Sequence, residues 1–176
     1  VEAGQLEVNE EIIDLEGLTE ATVQIIRNKA TLSDVGIEIS FPSDLPEARM
    51  DRRLMRQIIL NLLSNAIKFS EENTTITIKA RLTSTGIIAF SVADQGIGMN
   101  EAEIANALMP FGQNQSLMTR EHEGTGLGLP LVQNLIELHG GSLDITSEKG
   151  VGTTATLYIP SNRVVKDGDD VELNTI

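Results

Sequence analysis

From Asp14 to about Leu32, apolar side chains recur at Leu15, Leu18, Ala21, Ile25 and Ile26, the spacing of a helix that buries one face, with Asp14 placed to cap its first turn. Gly36 interrupts the pattern, and Ile37, Ile39 and Phe41 then alternate with polar neighbours up to Pro42, as in a short half-buried strand. A second helix is predicted over residues 52–69, with Ile58, Ile59, Leu62, Leu63, Ala66 and Ile67 on one side. Two alternating runs, 75–82 and 87–93, read as strands joined through Ser84, Thr85 and Gly86. A short helix is expected over 101–108. Residues 109–125 follow as a long polar stretch without period, in keeping with a functional lid loop. Helical spacing resumes from about Leu127 to His139 and stops at Gly140 and Gly141. Strands over 142–146 and 153–159 flank a turn at Lys149, Gly150 and Gly152.

Helices and antiparallel strands thus come in mixed order, without the strict repeat of a doubly wound sheet. The expected fold is α+β, a two-layer α/β sandwich on a mixed, mostly antiparallel sheet. There is no internal repeat. Residues 1–9 open without a cap or a complete pattern and read as the severed end of a longer element, residues 10–160 as one domain, and residues 161–176 as an acidic, flexible tail.

Charge narrows the possible ligands. The 26 acidic and 13 basic residues leave a net charge of −13, which repels a phosphate backbone and argues against general nucleic-acid binding. An anionic ligand must therefore be held by local devices. With no cysteine and two histidines, disulfides, thiolate metal sites and His-rich clusters are excluded. No apolar run approaches the roughly 20 residues that span a bilayer.

One local device lies on the second helix. At 100° per residue, Asn61, Asn65 and Lys68 fall within an arc of about 80°. A solvated face is one reading of that stripe. Such faces usually carry Glu, Lys and Arg, however, and mid-helix Asn costs about 0.5–0.7 kcal/mol relative to Ala. The alternative is a face for metal and triphosphate: an amide oxygen suits Mg²⁺, an amide N–H₂ donates to phosphate, and Lys68 adds a mobile cation.

The glycine-rich turns offer two more devices. Asp94, Gly96 and Gly98 in ADQGIGM follow a strand and read either as a tight turn or as a base pocket. In the second case the Asp94 carboxylate accepts from the exocyclic amine of adenine and opposes the carbonyl of guanine. Gly124, Gly126 and Gly128 in GTGLGL stand where a loop becomes a helix, which frees backbone N–H groups for phosphate, although a hinge explains them too. No GK[ST] follows, as a P-loop requires, and no strand immediately precedes, as a dinucleotide fingerprint requires. Gly150, Gly152 and Thr153 are adequately explained by a hairpin turn.

Taken in order, NLLSNAIKFS, DQGIGM, MPFGQ, GTGLGL and GVGT resemble the N, G1, F, G2 and G3 boxes of histidine-kinase catalytic domains in the GHKL, or Bergerat-fold, ATPase superfamily. The resemblance covers about Val1 to Pro160, since the opening VEAGQLEV resembles the stretch after the dimerisation helices of these kinases. It implies ATP and Mg²⁺ as cofactors, with Asn61 on the metal, Asn65 and Lys68 on the triphosphate, and Asp94 on adenine. It also implies that Gly96 and Gly98 shape the adenine pocket, that the loop from Gly124 through Thr125, Gly126 and Leu127 to Gly128 holds phosphates by its backbone, and that Thr153 supports a water on Asp94. Phe69 and Phe111 would bracket the nucleotide, Phe111 from the lid, and Arg120 is the candidate for the γ-phosphate. Asn61, Lys68 and Arg120 are the residues implied in the transfer itself.

Two departures bear on mechanism. The hydrolase branches of the superfamily place a water-activating glutamate four residues before the metal-binding Asn, where this chain has Gln57. An amide cannot act as a general base, so transfer to a protein acceptor is favoured over hydrolysis. The phosphoacceptor box of the family, a His followed by Glu or Asp in a helical hairpin, is absent. His122 reads as a solvated lid residue and His139 as packing. The resemblance therefore implies a protein-histidine kinase domain that phosphorylates a histidine on its parent chain's dimerisation domain and so feeds a response-regulator receiver domain. The fragment is expected to be monomeric and cytoplasmic and its parent homodimeric, whether or not the parent is membrane-anchored. The alternatives are a nucleotide-binding regulatory module with little catalysis, or an ATP hydrolase of the same superfamily.

Overall fold

The computed structural model describes residues 7–109 and 128–166. In chain order the elements are β1 (Glu11–Ile13), α1 (Leu15–Leu32), β2 (Val35–Ser40), β3 (Ala48–Met50), α2 (Arg52–Phe69), β4 (Thr74–Leu82), β5 (Ile88–Ala93), α3 (Glu101–Ala107), α4 (Gly128–Leu138), β6 (Ser142–Glu148) and β7 (Gly152–Ile159). Five strands form one sheet in the order β2-β4-β5-β7-β6, with only the β2–β4 pair parallel. The α+β sandwich expected from the pattern is the fold observed.

The layers follow from alternation. Ile76, Ile78 and Ala80 of β4, Ile88, Phe90 and Val92 of β5, and Ala155, Leu157 and Ile159 of β7 are buried together with the apolar sides of α1, α2 and α4. Residues between them, such as Thr75, Lys79, Ser91 and Thr156, are left on the other face, where they are exposed or half-buried. Helix α2 packs against both α1 and α4 and buries the six aliphatic positions predicted for it, plus Met55. Asp14 caps α1 by accepting the N–H groups of Glu16 and Gly17, and Asp51 caps α2 by accepting those of Arg53 and Leu54.

Two short strands escape the pattern. β1 and β3 pair antiparallel as a separate two-stranded sheet, with Ile13, Ala48 and Met50 fully buried. Three residues are too few for a period to register.

The chain also stays in the fold past Pro160, contrary to the flexible tail expected from 161. Ser161–Arg163 forms a 3-10 turn, and Val164 is buried in a bridge to Ala48. The Arg163 Nη1 donates to the Arg49 carbonyl at 3.0 Å and pairs with Glu10 at 2.8 Å, while its Nε donates to the His139 carbonyl. Three partners from separate segments outweigh the polar composition that suggested a tail.

His139 is packed, as its setting suggested. The ring is fully buried, its Nδ1 donates to the Leu135 carbonyl at 2.8 Å, and its Nε2 accepts the Asp51 N–H at 3.1 Å. Those two bonds require the neutral imidazole with hydrogen on Nδ1. Burial pushes its pKa below the ordinary value. For the same network, burial alone would raise Asp51, but bonds from Arg53, Asn9 and Leu54 outweigh it and hold the carboxyl at about 2.

Both shifts make the fold acid-sensitive. A histidine depressed in the folded state contributes stability above the unfolded value near 6.5, which is lost as pH falls below it. The Asp51 contribution disappears later, between about 3.8 and 2. The denaturation midpoint is therefore expected to fall between pH 7 and 5, and to fall less in His139→Gln. An equal fall in both proteins would contradict this assignment.

Candidate functional site

The predicted stripe of α2 meets a polar row at the end of the sheet. Val92, Ala155 and Ile145 are cross-strand neighbours in register on β5, β7 and β6, and they face the helices. One step further along the same strands comes Asp94, then Thr153, then Ser147. Ser147 and Thr153 are register partners, and Asp94 and Thr153 are joined by the Asp94 N–H to the Thr153 carbonyl at 2.9 Å. By the period of a strand these three side chains share the inner face.

Asp94 is held firmly by one oxygen. Its Oδ1 accepts the N–H of Gly96 at 2.9 Å and that of Thr153 at 3.2 Å. Oδ2 remains as the acceptor not committed to the backbone. Burial raises the carboxyl above its ordinary value, and the two N–H bonds oppose that shift. Among the described residues no cation pairs with it.

The turn after β5 is pressed onto the end of α2. The Ile97 N–H donates to the Phe69 carbonyl at 3.2 Å, and Ser70 and Gly96 form an isolated bridge. A Cβ on Gly96 would lie 2.0 Å from the Phe69 carbonyl oxygen, so only glycine permits this approach. The hydroxyl of Ser70 is buried here without a partner among the described residues, a polar atom that a ligand or water in the cleft would satisfy.

Gly152 is more constrained than a hairpin turn demands. It has a φ of 139°, and a Cβ would lie 2.0 Å from the Asp94 carbonyl oxygen. Gly152→Ala is expected to cost at least about 2 kcal/mol, because strain and backbone clash add at the strand pair that carries Asp94. Urea unfolding measures this, and a midpoint equal to that of the parent would refute it.

Along α2, the Asn61 Nδ2 donates to the Gln57 carbonyl at 2.9 Å. That bond leaves Oδ1 as the atom available to a ligand. Asn65 abuts the first residue of α4: a Cβ on Gly128 would lie 3.1 Å from its Nδ2. The Lys68 Nζ stands 4.9 Å from the centroid of the Phe69 ring. Burial lowers the pKa of Lys68, and the charge of Lys29 lowers it further.

The structure thus brings Asp94, Gly96 and Thr153 to the end of the helix carrying Asn61, Asn65, Lys68 and Phe69, with Gly128 beside Asn65. Gly98, with a φ of 64°, is fixed against Glu148, whose carbonyl oxygen a Cβ would approach to 1.8 Å. Phe111, Arg120, Gly124, Thr125, Gly126 and Leu127 lie outside the described residues, as does His122.

Two contributors were not singled out from the sequence. Lys29 of α1 donates to Ser64 Oγ at 2.7 Å and so stands beside Lys68, a proximity that no local pattern encodes. Ser147 had a visible signal: it continues the inward positions Leu143 and Ile145, where a polar residue is out of place unless it has partners. Its Oγ contacts the Met99 N–H, the Gly152 carbonyl and the Thr153 hydroxyl at 2.8, 2.9 and 2.7 Å.

Among the described residues no group of three His, Cys, Asp or Glu is placed to hold a metal ion. An amide oxygen beside phosphate groups still suits magnesium, which keeps several waters and takes few protein ligands.

Residues 50–163 match the family described as histidine kinase-, DNA gyrase B-, and HSP90-like ATPase. The chain is 38% identical over 163 residues to the non-motile and phage-resistance protein of Caulobacter vibrioides, covering 91% of this chain and 19% of that one. It is 34% identical over 175 residues to the cell-division control histidine kinase PdhS of Brucella ovis, covering 95% and 17%. The chain therefore spans less than a fifth of the length of these curated relatives. Among solved structures it is similar to full-length ShkA in complex with AMPPNP, with a TM-score of 0.81 at 29% identity over 93% of this chain and 33% of that one. It is similar also to a nucleotide-free catalytic domain of the histidine kinase ThkA, with a TM-score of 0.74 at 25% identity over 89% and 97%. Sheet order, the α2 stripe and these matches agree: the chain belongs to the histidine kinase-, DNA gyrase B- and HSP90-like ATPase family, as the catalytic domain of a sensor histidine kinase.

Proposed function

We propose that this domain binds ATP with Mg²⁺ in the cleft between α2 and the polar row of the sheet, and donates the γ-phosphoryl group to a histidine on a dimerisation domain. The observation that carries the reading is Asp94, saturated by backbone N–H groups on one oxygen and uncommitted on the other, at the end of the helix bearing Asn61, Asn65 and Lys68.

When bound, ATP supplies the transferable phosphoryl group and Mg²⁺ neutralises charge on its oxygens. Asp94 Oδ2 accepts from the adenine amine, with Gly96 and Gly98 giving the base room and Thr153 supporting a water. Asn61 offers Oδ1 to the metal, and Asn65 donates its amide to the phosphates. Lys68 is the cation of this stripe, its ammonium partly desolvated by burial and placed to meet phosphate. Phe69 lines the base side; Phe111 and Arg120 act from the lid, and the backbone from Gly124 through Thr125, Gly126 and Leu127 to Gly128 cradles the phosphates. Positioning and charge are what such transfers require of a protein.

Gln57 directs the chemistry away from water. Its amide takes no proton, so hydrolysis lacks a base at the position where the hydrolase branches carry one. Phosphate then passes from the histidine to a receiver-domain aspartate of a response regulator, in a cytoplasmic setting, within a dimeric parent chain. The test is to incubate the protein with γ-labelled ATP and a histidine-bearing dimerisation domain. An acid-labile label on that histidine is expected. Its absence, with rapid phosphate release from the domain alone, would instead identify an ATP hydrolase.

A further inference from the structure

We infer that Ser147 sets the base specificity of the site by fixing the direction of the Thr153 hydroxyl, which makes the pocket present acceptors only and so select a 6-amino purine over a 6-oxo purine. The inference rests on the proposed placement of adenine at Asp94.

Ser147 Oγ carries a single hydrogen and makes three contacts. The Met99 N–H, at 2.8 Å, donates to it. The Gly152 carbonyl, at 2.9 Å, can only accept, so the serine hydrogen goes there. The third contact, 2.7 Å to Thr153 Oγ1, must then be made with the hydrogen of Thr153. Thr153 therefore donates towards β6, and only its lone pairs are left for anything else.

The neighbouring carboxylate is constrained in the same sense. Asp94 Oδ1 is filled by the N–H groups of Gly96 and Thr153, which leaves Oδ2 as an acceptor. Asp94 Oδ2 and Thr153 Oγ1 together match the two hydrogens of an exocyclic amine, or one of them and a bridging water. A 6-oxo group brings a third acceptor and finds no donor on either side chain.

Removal of the Ser147 hydroxyl releases the Thr153 hydrogen. That hydroxyl can then rotate and donate to a 6-oxo group. Ser147 is a positioning residue in this account, since it touches the base only through Thr153. A merely structural role, satisfying the Met99 N–H, makes a different prediction: all nucleotides weaken equally.

The test is calorimetric titration of the protein with ATP and with ITP, which carries an oxo group at the purine 6-position and no 2-amino group. The parent protein should prefer ATP. In Ser147→Ala the ATP-to-ITP affinity ratio should narrow by about tenfold, the scale of one hydrogen bond to a buried group, and Ser147→Thr should restore it. Because both affinities are measured on one preparation, a partly unfolded fraction cancels from the ratio. Should Ser147→Ala fail to fold, Thr153→Val must narrow the ratio alone. An unchanged ratio in the folded variants, or equal weakening of both nucleotides, would overturn the inference while leaving adenine recognition standing. No ATP preference in the parent protein would overturn the adenine placement itself.

Discussion

Asp94→Asn is expected to lose adenine-nucleotide binding by at least about 10- to 100-fold while the domain stays folded. The substitution keeps an oxygen for the N–H groups of Gly96 and Thr153, so the turn after β5 retains its bonds. It places an N–H₂ where Oδ2 stood. Donor then faces donor at the exocyclic amine, and leaving such a buried pair unsatisfied costs about 1–3 kcal/mol. Stability should not fall. A carboxyl raised in the folded state contributes stability below the unfolded value that is lost as pH rises through the folded one, so the charge is a cost at neutral pH that asparagine removes. Calorimetry with ATP, alongside a thermal melt, reads both effects. Unchanged affinity in a folded variant would remove Asp94 from base recognition.

Asn61→Ala should have the second large effect, on chemistry more than on base binding. The Asn61 amide is oriented by its bond to the Gln57 carbonyl, so that its oxygen is the atom offered to metal. Alanine removes that ligand and improves helix propensity slightly, so the fold is preserved. Transfer to an added dimerisation domain should fall by roughly two orders of magnitude, as expected when several kcal/mol of metal-borne charge stabilisation is lost at about 1.4 kcal/mol per decade. The affinity for ATP without magnesium should barely change, and the gain that magnesium gives the parent should disappear. A variant that keeps its magnesium response would move the metal away from α2.

The parts of the site that were legible in the sequence are those encoded locally. A helix of 18 residues gives the period enough turns to separate its aliphatic side from Asn61, Asn65 and Lys68, and the structure reproduces its bounds. What the local pattern does not encode depends on distant chain. Gly152 looked like an ordinary turn residue, yet the atom that forbids a side chain there is the Asp94 carbonyl on the adjacent strand. His139 was recognisable as packing, but its partner Asp51 lies 88 residues away and nothing near either residue announces the pair. The segment after Pro160 reads as solvated because its sequence is polar. Arg163 docks nonetheless, since Glu10, Arg49 and His139 converge on it from three directions. Ser147 could have been noticed as a polar residue at an inward position of β6, although its three contacts depend on the turns that fold over it.

All of these roles depend on a nucleotide lying between the amide stripe of α2 and the carboxylate at the end of β5. Titration of the folded protein with ATP, with and without magnesium, tests that directly. Saturable binding at one site is predicted, tighter with the metal and weakened at least about 10- to 100-fold by Asp94→Asn. A well-folded protein that takes up no ATP or ADP at millimolar concentrations would contradict it.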